Sequence, residues 1–241
     1  GDPLSVVKLS GTNTISGPIA LTSGTLDIDE SSEISGAIIQ GGPASIDVAL
    51  GKTLTYSGSA ISLGANTLTV VGDGSISSTN ALVLENAESQ LTITGNSILS
   101  GAQVTTALTN GIVISESSTI TTLTLGDTTP VSIAADKTLS GTIVVNSGGT
   151  LQLTGSGSLV SAVALNGGTL VIDESLSISG AITHIASSLI DVDQEKTLTY
   201  SGEALSLGEH TLTLTGGGAF SNTNSLTLGN ASSILNVTGP N

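Results

Sequence analysis

Acidic residues crowd one stretch of the chain, at Asp173, Glu174, Asp191, Asp193 and Glu195. Hard cations take several oxygens from carboxylates, carbonyls and water, so Asp173, Asp191, Asp193 and Glu195 form a candidate calcium set. Asp173 directly follows the aliphatic-x-aliphatic triplet Leu170-Val171-Ile172, and Asp193 directly follows Ile190-Asp191-Val192. If the two triplets lie side by side, their carboxylates come within a few ångströms. The same positions 144 residues earlier hold Asp29 and Ala49, so the pair is not repeated. A solvated acidic turn is the plainer reading, with calcium as the alternative.

The other reactive side chains form no catalytic constellation. Lys52, Lys137 and Lys196 each open a Lys-Thr-Leu run six residues after a triplet begins. Paired with surface carboxylates across coils they contribute little, and lysines also blunt strand edges. A lysine-based β-elimination on acidic polysaccharide would need further cations to hold the uronate groups, and the chain has no Arg. His184 and His210 stand 26 residues apart without a neighbouring Cys, and their counterparts in the earlier stretch are Gln40 and Asn66. That is a poor start for zinc ligation or general-base work. Thr-x-Thr pairs such as Thr53/Thr55, Thr92/Thr94 and Thr211/Thr213/Thr215 would suit ice binding on a flat, uniform face. The outward row reads Lys8, Asp27, Asp47, Thr69, Thr92, Val113, Ser132 and Gln152, which is mixed. Threonine is also an ordinary β-ladder residue. The expectation is a non-enzyme without a resident cofactor.

The elements that must position these side chains follow from two nested repeats. Shifted by 144 residues, the sequence aligns with itself without a gap, and 42 of the 75 positions from Ser23 to Ser97 match their partners. Inside this long unit, twelve triplets recur at spacings of 19 to 23 residues, from Val7-Lys8-Leu9 through Leu26-Asp27-Ile28 to Leu235-Asn236-Val237. Seven intervals, from Leu26 to Leu170, span the 144 residues. In a strand, residues i and i+2 share one face, so every triplet is dry on one side while its middle residue varies. Two further short strand-like runs follow each triplet, such as Leu54-Thr55-Tyr56 and Ala60-Ile61-Ser62-Leu63, with Gly, Ser, Asn and Asp between them to turn the chain. Three short strands and three turns in about 20 residues predict an all-β, single-stranded parallel β-solenoid, a β-helix of about 11–12 coils. No coil buries its inner face alone; the stack makes the core. The chain reads as one continuous solenoid over 1–241, with a first seven-coil unit over 1–144 and a partial second one over 145–241.

Composition narrows the setting. Nineteen acidic against four basic residues give a net charge of −15, and aromatics are limited to Tyr56, Tyr200 and Phe220. A nucleic-acid interface or an anionic membrane surface calls for the opposite charge, and no apolar run is long enough for a membrane helix. Yet 38 % of residues are hydrophobic and the mean hydropathy is +0.39, too apolar for a disordered acidic tail. Without Cys, no disulfide framework is available. A leucine-rich repeat lacks its Asn-bearing pattern here, and the calcium-binding nonapeptide has only a poor echo in Gly72-Asp73-Gly74. A sandwich leaves the gapless self-match unexplained.

Leu9-Ser10-Gly11-Thr12-Asn13-Thr14-Ile15-Ser16-Gly17, then Ile19-Ala20-Leu21 and Gly24-Thr25-Leu26-Asp27-Ile28, resemble the β-strand repeat of bacterial autotransporter passengers and large surface adhesins. Ile15 stands where that repeat usually carries Tyr, and Leu153-Thr154-Gly155 to Gly168-Thr169-Leu170 is a degenerate second copy. The resemblance implies a right-handed β-helix in a secreted protein displayed on a bacterial cell surface. The resulting expectation is a structural or adhesive shaft, with host or neighbouring-cell surfaces as partners. A ligand- or calcium-binding adhesin module is the alternative reading. Gly1 carries no initiator Met or signal peptide, which fits a segment of a longer array. Open strand edges would then favour end-to-end stacking with itself or with further repeats.

Overall fold

Each triplet needs a neighbour on both sides to keep its aliphatics dry, and the structure supplies one by coiling the chain. The structure, a computed structural model, describes residues 5–239 and the side chains of all of these except 101–103 and 108. The described residues are strand and turn without helix, and they form a parallel β-solenoid of about 11 turns with repeats of roughly 21 residues. By its internal contacts the chain falls into two units, Gly1–Leu123 and Thr124–Asn241.

In the first unit, the triplets lie in the strands Val6–Leu9, Thr25–Ile28, Ala44–Val48, Thr67–Val71, Gln90–Ile93 and Gly111–Ile114, paired in parallel in that order. These form a first wall. A second wall runs Thr14–Ile15, Ser32–Ile34, Thr53–Tyr56, Ser75–Ser78 and the start of Ile98–Leu108. The third is made of shorter pieces, Ile19–Leu21 with Ile38–Gln40, and Ile61–Ser62 with Leu82–Glu85 and the end of Ile98–Leu108. The second unit repeats the plan. Its first wall is Thr128–Ile133, Thr150–Leu153, Thr169–Ile172, Ser188–Val192, Thr211–Gly216 and Ile234–Val237.

Side-chain alternation matches the pattern of the triplets. Leu26, Ile28, Leu91, Ile93, Leu170 and Ile172 are fully buried, whereas the intervening Asp27, Thr92 and Val171 are half-buried. On the outermost strands, Val7 and Val237 keep 50 % and 49 % of their surface exposed.

The structure differs from the triplet alignment in two ways. Ile46 pairs with Val70 rather than Leu68, and Leu68 pairs with Ala44; Ile190 pairs with Leu214 in the same manner. A slip of two residues leaves every side chain on its original face, so the hydrophobic pattern cannot reveal it. The small residues Ala44 and Ser188 are thereby drawn inward and buried. Secondly, Ile98–Leu108 and Thr138–Asn146 run from the second wall into the third as single long strands. In the latter, Gly141 at φ 122° bends the strand without ending it.

These placements set a paired test. Ile133 is 2 % exposed, so Ile133→Asp buries a carboxylate without a partner and should cost several kcal/mol or prevent folding. Val113 is half-buried on an outer row, and Val113→Asp should cost about 1 kcal/mol or less. Thermal midpoints of the two variants check this, and equal losses would contradict the assigned faces.

Candidate functional site

The outer row of the first wall carries the acidic residues. Lys8, Asp27 and Asp47 stand side by side on successive strands. Lys8 Nζ reaches Asp27 Oδ2 at 3.1 Å and Asp29 Oδ2 at 2.7 Å, and these bonds raise the lysine's pKa. Partial burial, followed by repulsion from Asp27 and Asp29, raises that of the Asp47 carboxyl. In the second unit the same row reads Gln152, Val171 and Asp191. There Gln152 Nε2 donates to Asp173 Oδ2 at 2.7 Å. Burial raises the Asp191 carboxyl, with repulsion from Asp193 and Asp173 adding to it.

Of the four candidate calcium residues, Asp173 and Asp193 are therefore close enough to Asp191 to repel its charge. Glu195 belongs to the following turn, at φ 63°, and its charge acts on Lys196. Among the described residues, no group of three or more His, Cys, Asp or Glu side chains converges to hold a metal ion. The neighbouring Glu174 is engaged by Lys196 Nζ at 2.7 Å. The first copy has the same bond, from Lys52 Nζ to Glu30 Oε2 at 2.6 Å. The lysines also share a local turn, in which the backbone N–H of Lys52, Lys137 and Lys196 donates to the carbonyl three residues before it. This arrangement balances charge between coils.

The groups with the most specific surroundings are the two tyrosines, which carried no chemistry in the sequence. Tyr56 and Tyr200 are 1 % and 0 % exposed. Tyr56 Oη accepts from the Ile38 N–H at 3.1 Å and donates to the Ser59 carbonyl at 2.6 Å. Tyr200 does the same with Ile182 N–H at 3.1 Å and the Glu203 carbonyl at 2.7 Å. Each phenol thus satisfies two backbone groups where the second wall turns into the third, on two neighbouring coils. Gly58 and Gly202 make room for it: a Cβ on Gly58 would stand 2.3 Å from the Gly36 carbonyl oxygen and 2.6 Å from the phenol oxygen. The visible signal was Tyr-Ser-Gly at 56–58 and again at 200–202.

Another repeated position is 40 and 184. Gln40 Nε2 donates to the Thr67 carbonyl at 2.9 Å, while its Oε1 is buried without a hydrogen-bond partner, as are both ring nitrogens of His184. Burial, together with the charge of His210, lowers the His184 pKa to about 4. The imidazole is neutral in the fold. The structure thus brings His184 and His210 into electrostatic range, with neither a carboxylate nor a hydroxyl bonded to the His184 ring. That geometry holds no nucleophile–base pair.

Comparison of the chain with family models, with curated proteins and with solved structures finds no match.

Two predictions follow from these groups. Tyr200→Phe leaves the Ile182 N–H buried without its partner and frees the part-buried Glu203 carbonyl, at a cost of about 1–3 kcal/mol, read as a lowered denaturant midpoint. A midpoint equal to wild type would show that the phenol oxygen holds nothing. The second concerns pH. Because His184 titrates near 4 in the fold against an ordinary 6.5, the unfolded chain takes up the proton first as pH falls. Wild type should therefore lose stability between about pH 6.5 and 4 relative to His184→Gln, which copies residue 40. Parallel curves for the two proteins would contradict a buried neutral imidazole.

Proposed function

We propose that this chain is a structural repeat shaft, part of a secreted protein displayed on a bacterial cell surface, and that it carries out no catalysis. The observation that carries the reading is what the 144-residue repeat preserves. It keeps the tyrosine staples at 56 and 200, the Lys52–Glu30 and Lys196–Glu174 bonds, and the two-residue register slip. All of these join coil to coil. Of the side chains weighed for chemistry, His184, His210, Asp193 and Glu195 differ between copies, whereas Asp173 and Asp191 match Asp29 and Asp47. Repetition here maintains a scaffold; a catalytic site is normally built once.

The acidic outer row suits an exposed, well-hydrated wall. The half-exposed Val6, Val7, Ile234 and Val237 suit stacking against a further coil, from the same protein or from another copy.

Pulling the chain from both ends by single-molecule force spectroscopy tests the mechanical part. A shaft that bears load should release its coils in discrete steps, each lengthening the chain by about 70 Å for some 21 residues. Smooth extension without resisting steps would overturn it. Antibody labelling of intact producing cells tests the location, with labelling only after permeabilisation as the contrary result.

A further inference from the structure

An unfilled space lies inside the first unit. The inward positions of the second wall run Ile15, Ile34, Tyr56 and Ser78 on successive coils. Ile34 and Tyr56 fill their places, at 0 % and 1 % exposed. Ser78 is also buried but is far smaller, and its hydroxyl is drawn along the backbone. Its Oγ donates to the Asn80 carbonyl at 2.8 Å and accepts from the Asn80 N–H at 3.2 Å.

Beside Ser78 lies a partly open cavity of about 40 Å³, whose walls include Leu54, Tyr56, Leu68, Ile76, Leu82 and Val104. Such a space exceeds the roughly 10–15 Å³ that one water needs. A water also needs about two to four polar partners. Ser78 is committed to Asn80, and the Asn80 side-chain amide donates to the Gly58 carbonyl. The rest of the lining is aliphatic except for Tyr56, whose phenol is already bonded, and Ser100.

We infer that this cavity is a dry binding site for a small apolar guest, a monatomic gas or a hydrocarbon of a few carbons. It is well below the roughly 150 Å³ that accepts benzene in other proteins, which limits the size of the guest. The second copy carries other residues at several positions of the corresponding wall. There Phe220 takes the place of Ile76, and its ring stacks on Tyr200 with centroids 6.4 Å apart and planes inclined by 18°. Leu214 takes the place of Val70, another lining residue. The repeat thus contains its own larger residues for two positions of the cavity wall.

Xenon is the probe, added under pressure to the whole chain and followed by methyl NMR. Wild type should show saturable shifts confined to methyls of the lining residues, among them Leu54, Leu68, Val70, Ile76, Leu82 and Val104. Ile76→Phe should abolish them, and Val70→Leu should weaken them, which keeps the comparison open if the first variant does not fold. Absence of saturable shifts in wild type would overturn the proposal. So would shifts that persist unchanged in a folded filling variant.

Discussion

Parallel pairing from one coil to the next is the interaction on which everything else in this protein depends. A single coil of roughly 21 residues has two exposed flanks, and its inward aliphatics stay wet until another coil covers them. Backbone hydrogen bonds set the spacing, and period-two alternation then places each inner residue directly above the next. Leu91 over Leu68 and Leu170 beside Leu151 are buried for this reason. The same geometry explains the scarcity of aromatics. Narrow coils filled from three walls take Leu, Ile and Val, and a ring fits where a neighbouring glycine gives way.

That condition is met at the corners beside Tyr56 and Tyr200. The wall-to-wall turn leaves backbone groups pointing inward without a strand partner, and a buried amide or carbonyl in that state is costly. One phenol, an acceptor and a donor at once, satisfies both groups. The lysine–glutamate bonds do a lesser job on the outside. They are exposed, screened by salt and individually weak, but they relieve part of the repulsion on a wall whose Asp47 and Asp191 carboxyls already resist ionisation.

The differences between copies are as informative as the identities. Where the first copy has Gln40 and Asn66, the second has His184 and His210; where the first has Ile76, the second has Phe220. Each change falls at an equivalent place in the coil and alters what that place can do. His184 becomes a titratable group without a hydrogen-bond partner, and Phe220 stacks its ring on Tyr200. The scaffold tolerates such exchanges because pairing between coils is made mostly by main-chain atoms.

The all-β class, the coil length and the inward and outward faces were legible in the residues, because period two and the triplet spacing follow directly from strand geometry. Leu26-Asp27-Ile28 declares its buried and exposed sides without any knowledge of its neighbours. The register between strands was not legible. Ile46 beside Val70 and Ile46 beside Leu68 satisfy the same alternation, and only packing of the whole coil chooses between them. Nor could spacing show how Asp173, Asp191, Asp193 and Glu195 are disposed to one another, since that depends on where the turns after each strand aim their carboxylates. The phenol bonds of Tyr56 and Tyr200 and the void beside Ser78 belong to the tertiary structure for the same reason. Each is made by residues some 20 positions apart, on coils that meet only once the chain has wound.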